Sequence, residues 1–410
     1  MLKKVMKLKR VKKIKIRLTN NQIQTVEKTL GICRFLYNKF IEFNSKYYNE
    51  TKKFIFGYEF DRYVNNELYK EFPWIMDCSA KARKDVIMNA DKALKEFFQK
   101  KRGYLKFKSK RNLCQSYFFI KNGIRMIDES HVWIPILHGI KLCEKGYLLK
   151  EDIPRITSGR IIKDHNEFFV MFIIEYPEGF RKELGKEYSD GMGIDLGVKD
   201  YATIFTNGNY LHIPNVNKFS KKIILAENKI KLLQAIISRK QAINLKKYGY
   251  KIGEKIKKGE ATKIYSTRSI MKLKKRVDKL KQQNHRIRVE FIRKFCLSLV
   301  ISKPRYITIE DLSISQMLQI CTSKLADKIQ KSLLYYFRQH LTTLCEAFDI
   351  ELRIANRFFA SSKTCCMCGS KKKELSLADR VFKCDICGNK INRDENASNN
   401  LYHLKKYKFA

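Results

Sequence analysis

Hydrophobic and polar positions alternate strictly over residues 13–18, which read Lys-Ile-Lys-Ile-Arg-Leu. An alternation of period two predicts a β-strand with one buried face. Thr19 and Gln22 follow with the spacing of a capping box, which marks the start of a helix. The apolar positions after them recur at intervals of three and four, the pattern of an amphipathic helix: Ile23, Val26, Leu30, Cys33, Tyr37 and Phe40.

Helical spacing returns at about 79–101, and the pattern changes after Gly103. Branched and aromatic residues then predict strands, at 117–120, 132–136 and 168–176. We therefore expect residues 103–187 to form a mostly β unit that the first strand rejoins, with the helical block at 19–102 as an insertion.

A second unit begins near Gly191. Its first strands are predicted at 193–197 and 201–205, and Asn207-Gly208 is a dipeptide typical of the hairpin turn into a third strand. The later elements follow in order: a long helical region, a strand ending at Glu310, a helix at about 324–348 and a strand at about 350–355. This order predicts an RNase H-like sheet, so the fold class is α/β plus β.

Two acidic residues lie in strands of this predicted sheet that would be parallel neighbours. Asp195 stands between Ile and Leu in a strand flanked by glycines, and Glu310 ends an apolar strand, so both would meet at one sheet edge. Asp394 opens the last helix, which can pack beside that edge. Clustered carboxylates repel one another, and two divalent cations about 4 Å apart would resolve the conflict and clamp a phosphodiester. Mg²⁺ suits carboxylate oxygens, so these three residues are the candidate catalytic residues and magnesium ligands.

Each carboxylate taken alone also has a structural interpretation. Asp394 fits a helix cap, and Glu310 fits a strand-end carboxylate paired with a lysine. Asp311 is the alternative to Glu310 as the metal-binding acid. Neighbours on a strand face opposite sides, so only one of the two can point at the metals. We choose Glu310 because the apolar strand runs directly into it. The ordered set Asp, Glu, Asp in matching contexts favours the active-site interpretation.

Five of the twelve cysteines crowd between Cys365 and Cys387. They include two Cys-x-x-Cys pairs, Cys365 with Cys368 and Cys384 with Cys387, separated by 15 residues, and this spacing is typical of zinc sites. Four thiolates leave no open position, so one structural Zn²⁺ is expected. Cys366 is the spare thiol. A redox or disulfide pair is the alternative, disfavoured in the reducing cytosol that the scattered remaining cysteines suggest.

The amino-acid composition restricts the class of partner that the protein could bind. Lys and Arg number 85 against 41 Asp and Glu, which gives a formal net charge of +44. Such a surplus has no use in an enzyme of small neutral metabolites, whereas a polyanion would neutralise it. The longest apolar run, 168–174, is too short to span a membrane, and the Lys-rich N-terminus lacks the apolar stretch of a signal peptide. We expect a nucleic-acid partner, no membrane partner and a cytoplasmic, nucleoid-associated location.

Five segments carry a resemblance to one known family: 34–38, 97–109, 193–200, 307–312 and 361–399. They resemble the TnpB family of insertion-sequence-encoded RNA-guided DNA endonucleases, which is related to compact type V CRISPR effectors. Residues 193–200 and 307–312 are similar to its first and second RuvC motifs, and 361–399 to its zinc ribbon and third motif. One departure is Asn392, where the family often has Asp, so Asp394 carries the metal-binding role.

The resemblance implies both an architecture and a partner set. The implied domains are a β-barrel wedge at 1–18 and 103–187, a helical recognition domain at 19–102, a RuvC nuclease domain at 188–360 and 391–410, and a zinc-ribbon, target nucleic-acid-binding insertion at 361–390. The implied partners are a guide RNA derived from the transposon end and a double-stranded DNA target beside a short flanking motif, where base pairing reads the sequence. A monomer is favoured.

Other functions remain open at this point. A compact type V CRISPR effector shares the same motifs and would be distinguished by neighbouring repeats instead of transposon ends. A non-cleaving RNA-guided DNA-binding protein would call for a lost acid, and a transposase for acids ordered Asp, Asp, Glu. A plain zinc-bearing nucleic-acid-binding protein would lack metal-dependent cleavage.

Overall fold

The computed structural model of the protein describes residues 8–110, 114–165, 167–176, 190–251, 253–254, 256, 260–357, 359–376 and 379–409. The chain divides into two compact units, residues 1–180 and 181–410. The domain boundary expected at 187/188 lies outside the described residues. No helix in the described ranges has the length and apolarity that a membrane crossing requires.

The first unit combines an antiparallel sheet with helices. Its strands are β1 (Leu8–Arg17), β2 (Cys114–Ile120), β3 (Arg125–Asp128), β4 (His131–Ile134), β5 (His138–Leu142), β6 (Ile156–Asp164) and β7 (Glu167–Tyr176). Its helices are α1 (Asn20–Thr51), α2 (Gly57–Tyr63), α3 (Tyr69–Glu71) and α4 (Ala80–Phe98), with a π-helical segment at Val64–Leu68 and 3₁₀ segments at Pro73–Asp77 and Lys150–Arg155. The strand order β2-β6-β7-β1-β5-β4-β3 pairs β1 with strands that follow the helices in sequence.

Local signals explain how this unit starts. Ile14 and Ile16 are buried on one face of β1, as the alternation predicts, although the strand begins earlier than expected and ends before Leu18. The capping box is present, because Gln22 N donates to Thr19 Oγ1 at 3.3 Å and Thr19 N donates to Gln22 Oε1 at 2.9 Å. The apolar face of α1 and the inner faces of the sheet share one hydrophobic core.

The second unit is a mixed sheet covered by helices. Its strands are β8 (Met192–Leu196), β9 (Asp200–Thr206), β10 (Asn209–Pro214), β11 (Tyr306–Glu310), β12 (Glu351–Ala355), β13 (Val381–Lys383), β14 (Lys390–Asn392) and β15 (Tyr407–Phe409). Its helices are α5 (Val216–Phe219), α6 (Lys221–Lys247), α7 (Glu260–Tyr265), α8 (Arg268–Ile301), α9 (Ile314–Ile320), α10 (Ser323–Ser332), α11 (Leu334–Phe348) and α12 (Arg393–Tyr402). The main sheet has the order β10-β9-β8-β11-β12-β15, and β13 pairs with β14 in a separate hairpin.

The main sheet has the pairing that the sequence predicts. Strands β8, β9 and β10 are antiparallel, and Asn207 and Gly208 both take positive φ in the hairpin turn. Strand β11 is parallel to β8 on one side and to β12 on the other. The ends of β8 and β11 therefore lie side by side.

One expectation about the helices of this unit is wrong. The helix predicted at about 324–348 is broken into α10 and α11, because Leu333 adopts a left-handed conformation with φ 51°. Within α8, the charged residue Arg288 is only 7% exposed. Its Nη2 donates to Glu227 Oε1 at 2.9 Å and its Nε to Asn217 Oδ1, so the buried charge is paired.

Helix α12 lies against the backbone of β8 at Gly193. A Cβ at this position would lie 2.1 Å from the carbonyl oxygen of Ser398 and 2.3 Å from the amide nitrogen of Tyr402. Both are backbone atoms of α12, so neither can move without moving the helix. The glycine is therefore required for the close approach of helix to strand.

We expect Gly193→Ala to destabilise the second unit, because α12 must shift to admit the methyl group. Overpacking of this kind costs about 1–3 kcal/mol, measurable as a fall in free energy of unfolding in urea. Gly103→Ala is the matched control, since no atom lies within 4 Å of its added Cβ. Equal stability of the two variants would contradict the close packing of α12 on β8.

Candidate active site and zinc cluster

Asp195 and Glu310 lie next to each other at the ends of two parallel strands. Ile194 of β8 pairs with Ile309 of β11, and each acid is the next residue along its strand. Residues at matching positions of parallel strands point to the same face. Both acidic residues are partly exposed, whereas the two isoleucines are buried on the opposite face.

Asp394 reaches the same place from the first turn of α12. The cap of this helix is Asn392, whose Oδ1 accepts a hydrogen bond from Asp394 N at 2.9 Å. Asp394 is therefore not the N-cap, which removes the structural interpretation that its position alone suggested. Its carboxylate is close enough to Asp195 for the two charges to interact.

The shared surroundings make ionisation of these groups unfavourable. Burial raises the pKa of Asp195 well above its ordinary value, and the nearby charges of Glu310 and Asp394 raise it further. Burial also raises the pKa of Glu310, whereas the Ser361 hydroxyl and the charge of Arg393 act to lower it. The charges of Glu310 and Asp394 therefore both act on Asp195, although the three carboxylates do not all lie within 4.8 Å of one another.

Two contacts that the sequence did not predict stabilise this acidic site. Ser361 Oγ donates a short hydrogen bond to Glu310 Oε1. Arg393, one residue before Asp394, favours the ionised forms of both Asp195 and Glu310, and its Nη1 is fixed by the Ser376 carbonyl at 2.9 Å. Ser361 lies 51 positions from Glu310, so only its place within the family-like segment could have identified it.

The acidic neighbours of two site residues are engaged elsewhere. Asp311 accepts from Arg338 Nη1 at 2.6 Å and lies 3.7 Å from Arg357 Nη2. Glu395 pairs with His212 Nε2 at 2.9 Å. Asp311 and Glu395 are therefore each paired with basic side chains outside the group formed by Asp195, Glu310 and Asp394.

The donor set fits a divalent metal of the hard class. Three carboxylates that are partly exposed and mutually repelled offer oxygen ligands of the kind that Mg²⁺ prefers. A bound cation would favour the ionised forms that the metal-free surroundings disfavour. Asp195, Glu310 and Asp394 are thus compatible with magnesium in ligand chemistry and in charge.

The cysteine pairs come together as predicted. Among the described residues, Cys365, Cys368, Cys384 and Cys387 form the one group of potential metal ligands whose donor atoms all lie within 4.8 Å of one another. The sulfurs of Cys365 and Cys387 are 3.6 Å apart, as are those of Cys368 and Cys384. The cluster is consistent with a structural zinc, and the spare Cys366 is not part of it.

Backbone geometry around the cluster allows tight turns after each pair and favours the thiolate of Cys384. Gly369 and Gly388, directly after each pair, both take φ 73°, a conformation that glycine adopts without strain. The amide of Cys387 donates to Cys384 Sγ at 3.5 Å, and this contact, together with the Ser370 hydroxyl and the Ile386 amide, lowers the pKa of Cys384 to about 6. A low pKa favours the thiolate that binds zinc.

The surface of this ribbon is basic. Lys371, Lys373, Arg380 and Lys383 are exposed, whereas Lys372 is engaged by Asp385 at 3.2 Å and by the carbonyl of Lys383. Exposed cations on a small rigid module are suited to contact phosphates.

Two family models match parts of the chain. The model described as "Cas12f1-like, TNB domain" matches residues 335–401, from α11 through the cysteine cluster to α12. A model of IS605 OrfB proteins described as "Helix-turn-helix domain" matches residues 6–53. The described part of that second range consists of strand β1 followed by the long helix α1.

Relatives match the chain at low sequence identity. A protein of Streptomyces pristinaespiralis named "Putative RNA-guided DNA endonuclease" is 23% identical over 401 residues, covering 96% of this chain and 89% of the relative. InsQ of Escherichia coli K12, which has the same descriptive name, is 21% identical over 417 residues, covering 96% and 92%. TnpB-like protein L79 of Acanthamoeba polyphaga mimivirus is 25% identical over 231 residues, covering 56% of this chain and 40% of the relative.

Solved structures also align with most of the chain. The mini-RNA-guided endonuclease CRISPR-Cas_phi3 aligns with a TM-score of 0.46 and 11% identity, covering 96% of this chain and 92% of that one. The Cas12f1–sgRNA–target DNA complex aligns with a TM-score of 0.34 and 14% identity, covering 97% and 100%.

The four-cysteine cluster of this mixed α/β chain lies within the segment that matches the TNB-domain model. The chain also matches the IS605 OrfB model over residues 6–53 and two relatives over nearly its whole length. These matches support the resemblance to the TnpB family that the sequence motifs predict.

We expect the metal-free protein to lose stability as pH rises. A carboxyl whose pKa is raised on folding keeps its proton where the unfolded chain has lost it, so the free energy of unfolding falls from the ordinary Asp pKa of 3.8 upward. Asp195→Asn should reduce this fall and raise the melting temperature at pH 7, in buffer without added Mg²⁺, by about 2–4 °C, the shift for about 1 kcal/mol. The exposed Glu346→Gln is the control. An unchanged pH profile in Asp195→Asn would argue against a shared desolvated site.

We expect Cys384→Ser to lose one equivalent of zinc and to destabilise the ribbon, because serine cannot replace the thiolate in the cluster. Elemental analysis of purified protein measures the metal. Cys366→Ser is the matched control and should retain its zinc, since Cys366 lies outside the group of four. Zinc retained in Cys384→Ser and lost in Cys366→Ser would reverse the ligand assignment.

Proposed function

We propose that the protein is an RNA-guided DNA endonuclease of a transposon, which cuts target DNA at a RuvC site on the sheet of its second unit. The observation that carries this proposal is the common charged environment of Asp195, Glu310 and Asp394 at the ends of β8 and β11. The strand order of that sheet supports an RNase H-like architecture. The names of the Streptomyces and Escherichia relatives support the same class of activity.

The three carboxylates would hold two Mg²⁺ ions. When bound in such a site, the ions stabilise the attacking and the leaving oxygen of a phosphodiester. The chain's own residues fix the ligands: the Ser361 hydroxyl orients Glu310, and the Asn392 cap fixes the first turn of α12 that presents Asp394. Arg393 supplies a positive charge beside the site without displacing a ligand, since it is tied to the Ser376 carbonyl.

The proposed domains assign a role to each part of the chain. We assign residues 1–18 and 103–187 to a wedge domain, 19–102 to a recognition domain, 188–360 and 391–410 to the RuvC domain, and 361–390 to the zinc ribbon. Pairing of β1 with β5 and β7 supports joining the two parts of the wedge. The exposed cations of the ribbon support its contact with target nucleic acid.

The proposed partners are a guide RNA derived from the transposon end and double-stranded target DNA beside a short flanking motif. A net charge of +44 is suited to two polyanions held together. The resemblance of the matched TNB domain to Cas12f1 keeps a compact type V CRISPR effector as the alternative origin. In either case, the same three residues would carry out the same reaction.

We expect Asp195→Ala to abolish Mg²⁺-dependent cleavage of target DNA by protein purified with its own RNA, because one metal ligand is removed. Binding of guide and target should remain nearly intact, since most of the phosphate contacts are elsewhere on a strongly basic chain. A denaturing gel measures cleavage and gel shift measures binding. Asp327→Ala, an exposed acid on α10, is the control and should cut normally. Normal cutting by Asp195→Ala would refute the active-site assignment.

A further inference from the structure

A pocket of about 460 Å³ opens beside Glu310 at the carboxyl end of the main sheet. This volume is within the range of sites that bind small organic groups. We name it the flanking pocket, and its walls come from the end of β8, the segment after β11, the start of α11 and the residue range after β12. It is lined in part by Glu310 itself, so whatever fills it lies next to the candidate metal site.

One wall of the flanking pocket is apolar and carries an aromatic ring. Leu196, Leu312, Ile314 and Leu318 line it, and none of the four is fully buried. Tyr335 stands at the pocket with 61% of its surface exposed, and its hydroxyl accepts from Gln339 Nε2 at 2.8 Å. Aliphatic surface beside an anchored aromatic ring is suited to the flat face of an unstacked nucleobase.

The lining of the flanking pocket also includes two basic residues. Arg338 and Arg357 both contact Asp311, through one nitrogen each, at 2.6 and 3.7 Å. A guanidinium carries five N–H donors, so one carboxylate does not saturate either group. Asp311 therefore hydrogen-bonds Arg338 and lies within ion-pair distance of Arg357, and the two guanidiniums together exceed its single negative charge. Guanidiniums with free donors bind phosphate oxygens.

We propose that the flanking pocket binds the nucleotide next to the scissile phosphate of a single DNA strand, with its base on Tyr335 and its phosphate on Arg338 and Arg357. The proposal rests on the proposed endonuclease function and names the form of the substrate at the site. An intact duplex keeps its bases stacked, so a site that takes one base selects an opened strand. Asp311 acts as a positioning residue through the two arginines.

Photocrosslinking tests the base contact without cleavage. Target-strand and displaced-strand oligonucleotides carry a single 5-iodouracil at successive positions. They are bound to the full chain with its co-purified RNA in buffer without Mg²⁺, so that no cleavage occurs. We expect one position, or two adjacent ones, to crosslink to Tyr335, as identified by peptide mass spectrometry. Tyr335→Ala should lose this product, and Tyr248→Ala, an exposed tyrosine that does not line the pocket, should retain it. If no position of 5-iodouracil gave a crosslink to Tyr335, the proposal would be overturned.

A double-mutant cycle, measured as cleavage rates in Mg²⁺, then tests the contacts between the flanking pocket and the DNA. An abasic nucleotide at the crosslinked position should slow single-turnover cleavage about tenfold in the native protein and in Tyr335→Phe. In Tyr335→Ala the abasic change should have no further effect, because ring and base act as one pair. A neutral methylphosphonate at the adjoining phosphate should slow the native protein at least about tenfold and slow Arg338→Gln by a smaller factor, because only Arg357 then remains to contact the phosphate. Lys294→Gln, an exposed cation on α8, is the charge control and should respond like the native protein.

The two proposals fail in different ways. If the native protein cuts in Mg²⁺ but the effects of the protein substitutions and of the DNA changes are simply additive, the flanking pocket does not bind the substrate. The nuclease assignment then stands. If Asp195→Ala cuts normally, the active site is elsewhere. Crosslinking still decides the pocket in that case, because it needs no metal.

Discussion

Helix α12 lies so close to strand β8 that a side chain at position 193 has no room. This close packing determines which residues of the second unit can come together. The first turn of the helix is thereby fixed beside the ends of β8 and β11. Asp394 comes to the same sheet edge as Asp195 and Glu310, although the sequence separates them by dozens to hundreds of positions. The same helix anchors the loop before the cysteine cluster, so sheet edge and ribbon share one support.

A strongly basic chain concentrates negative charge at one small place. Gathering carboxylates costs free energy through lost hydration and mutual repulsion, and the fold offsets part of that cost with Arg393 and the Ser361 hydroxyl. The offset is incomplete, since the pKa values of Asp195 and Glu310 stay raised. A divalent cation bound by these carboxylates would reduce the remaining cost.

Features with a local signal were predicted from the sequence, and those that depend on distant contacts were not. The Thr19–Gln22 capping box and the two Cys-x-x-Cys pairs are complete within short windows, and both are present. The break at Leu333 is not signalled, because leucine favours continued helix and only the surrounding packing selects its positive φ. The burial of Arg288 and the hold of Ser361 on Glu310 depend on partners 61 and 51 positions away. For Asp195 and Glu310, the apolar strands around them indicated that the two could lie at one sheet edge. The contact that orients Glu310, from Ser361, could not be predicted in this way.

The cysteine cluster and the last helix are joined by amide side chains. Asn396, fully buried, donates to the Thr364 carbonyl at 2.6 Å and accepts from the Cys366 amide at 3.0 Å, and Asn400 donates to Thr364 and Ser361. Because Thr364 and Cys366 flank the ligand Cys365, occupancy of the cluster and placement of α12 are thermodynamically linked. Loss of zinc from the cluster would therefore be expected to affect the position of Asp394, although Asp394 is not one of the four clustered residues.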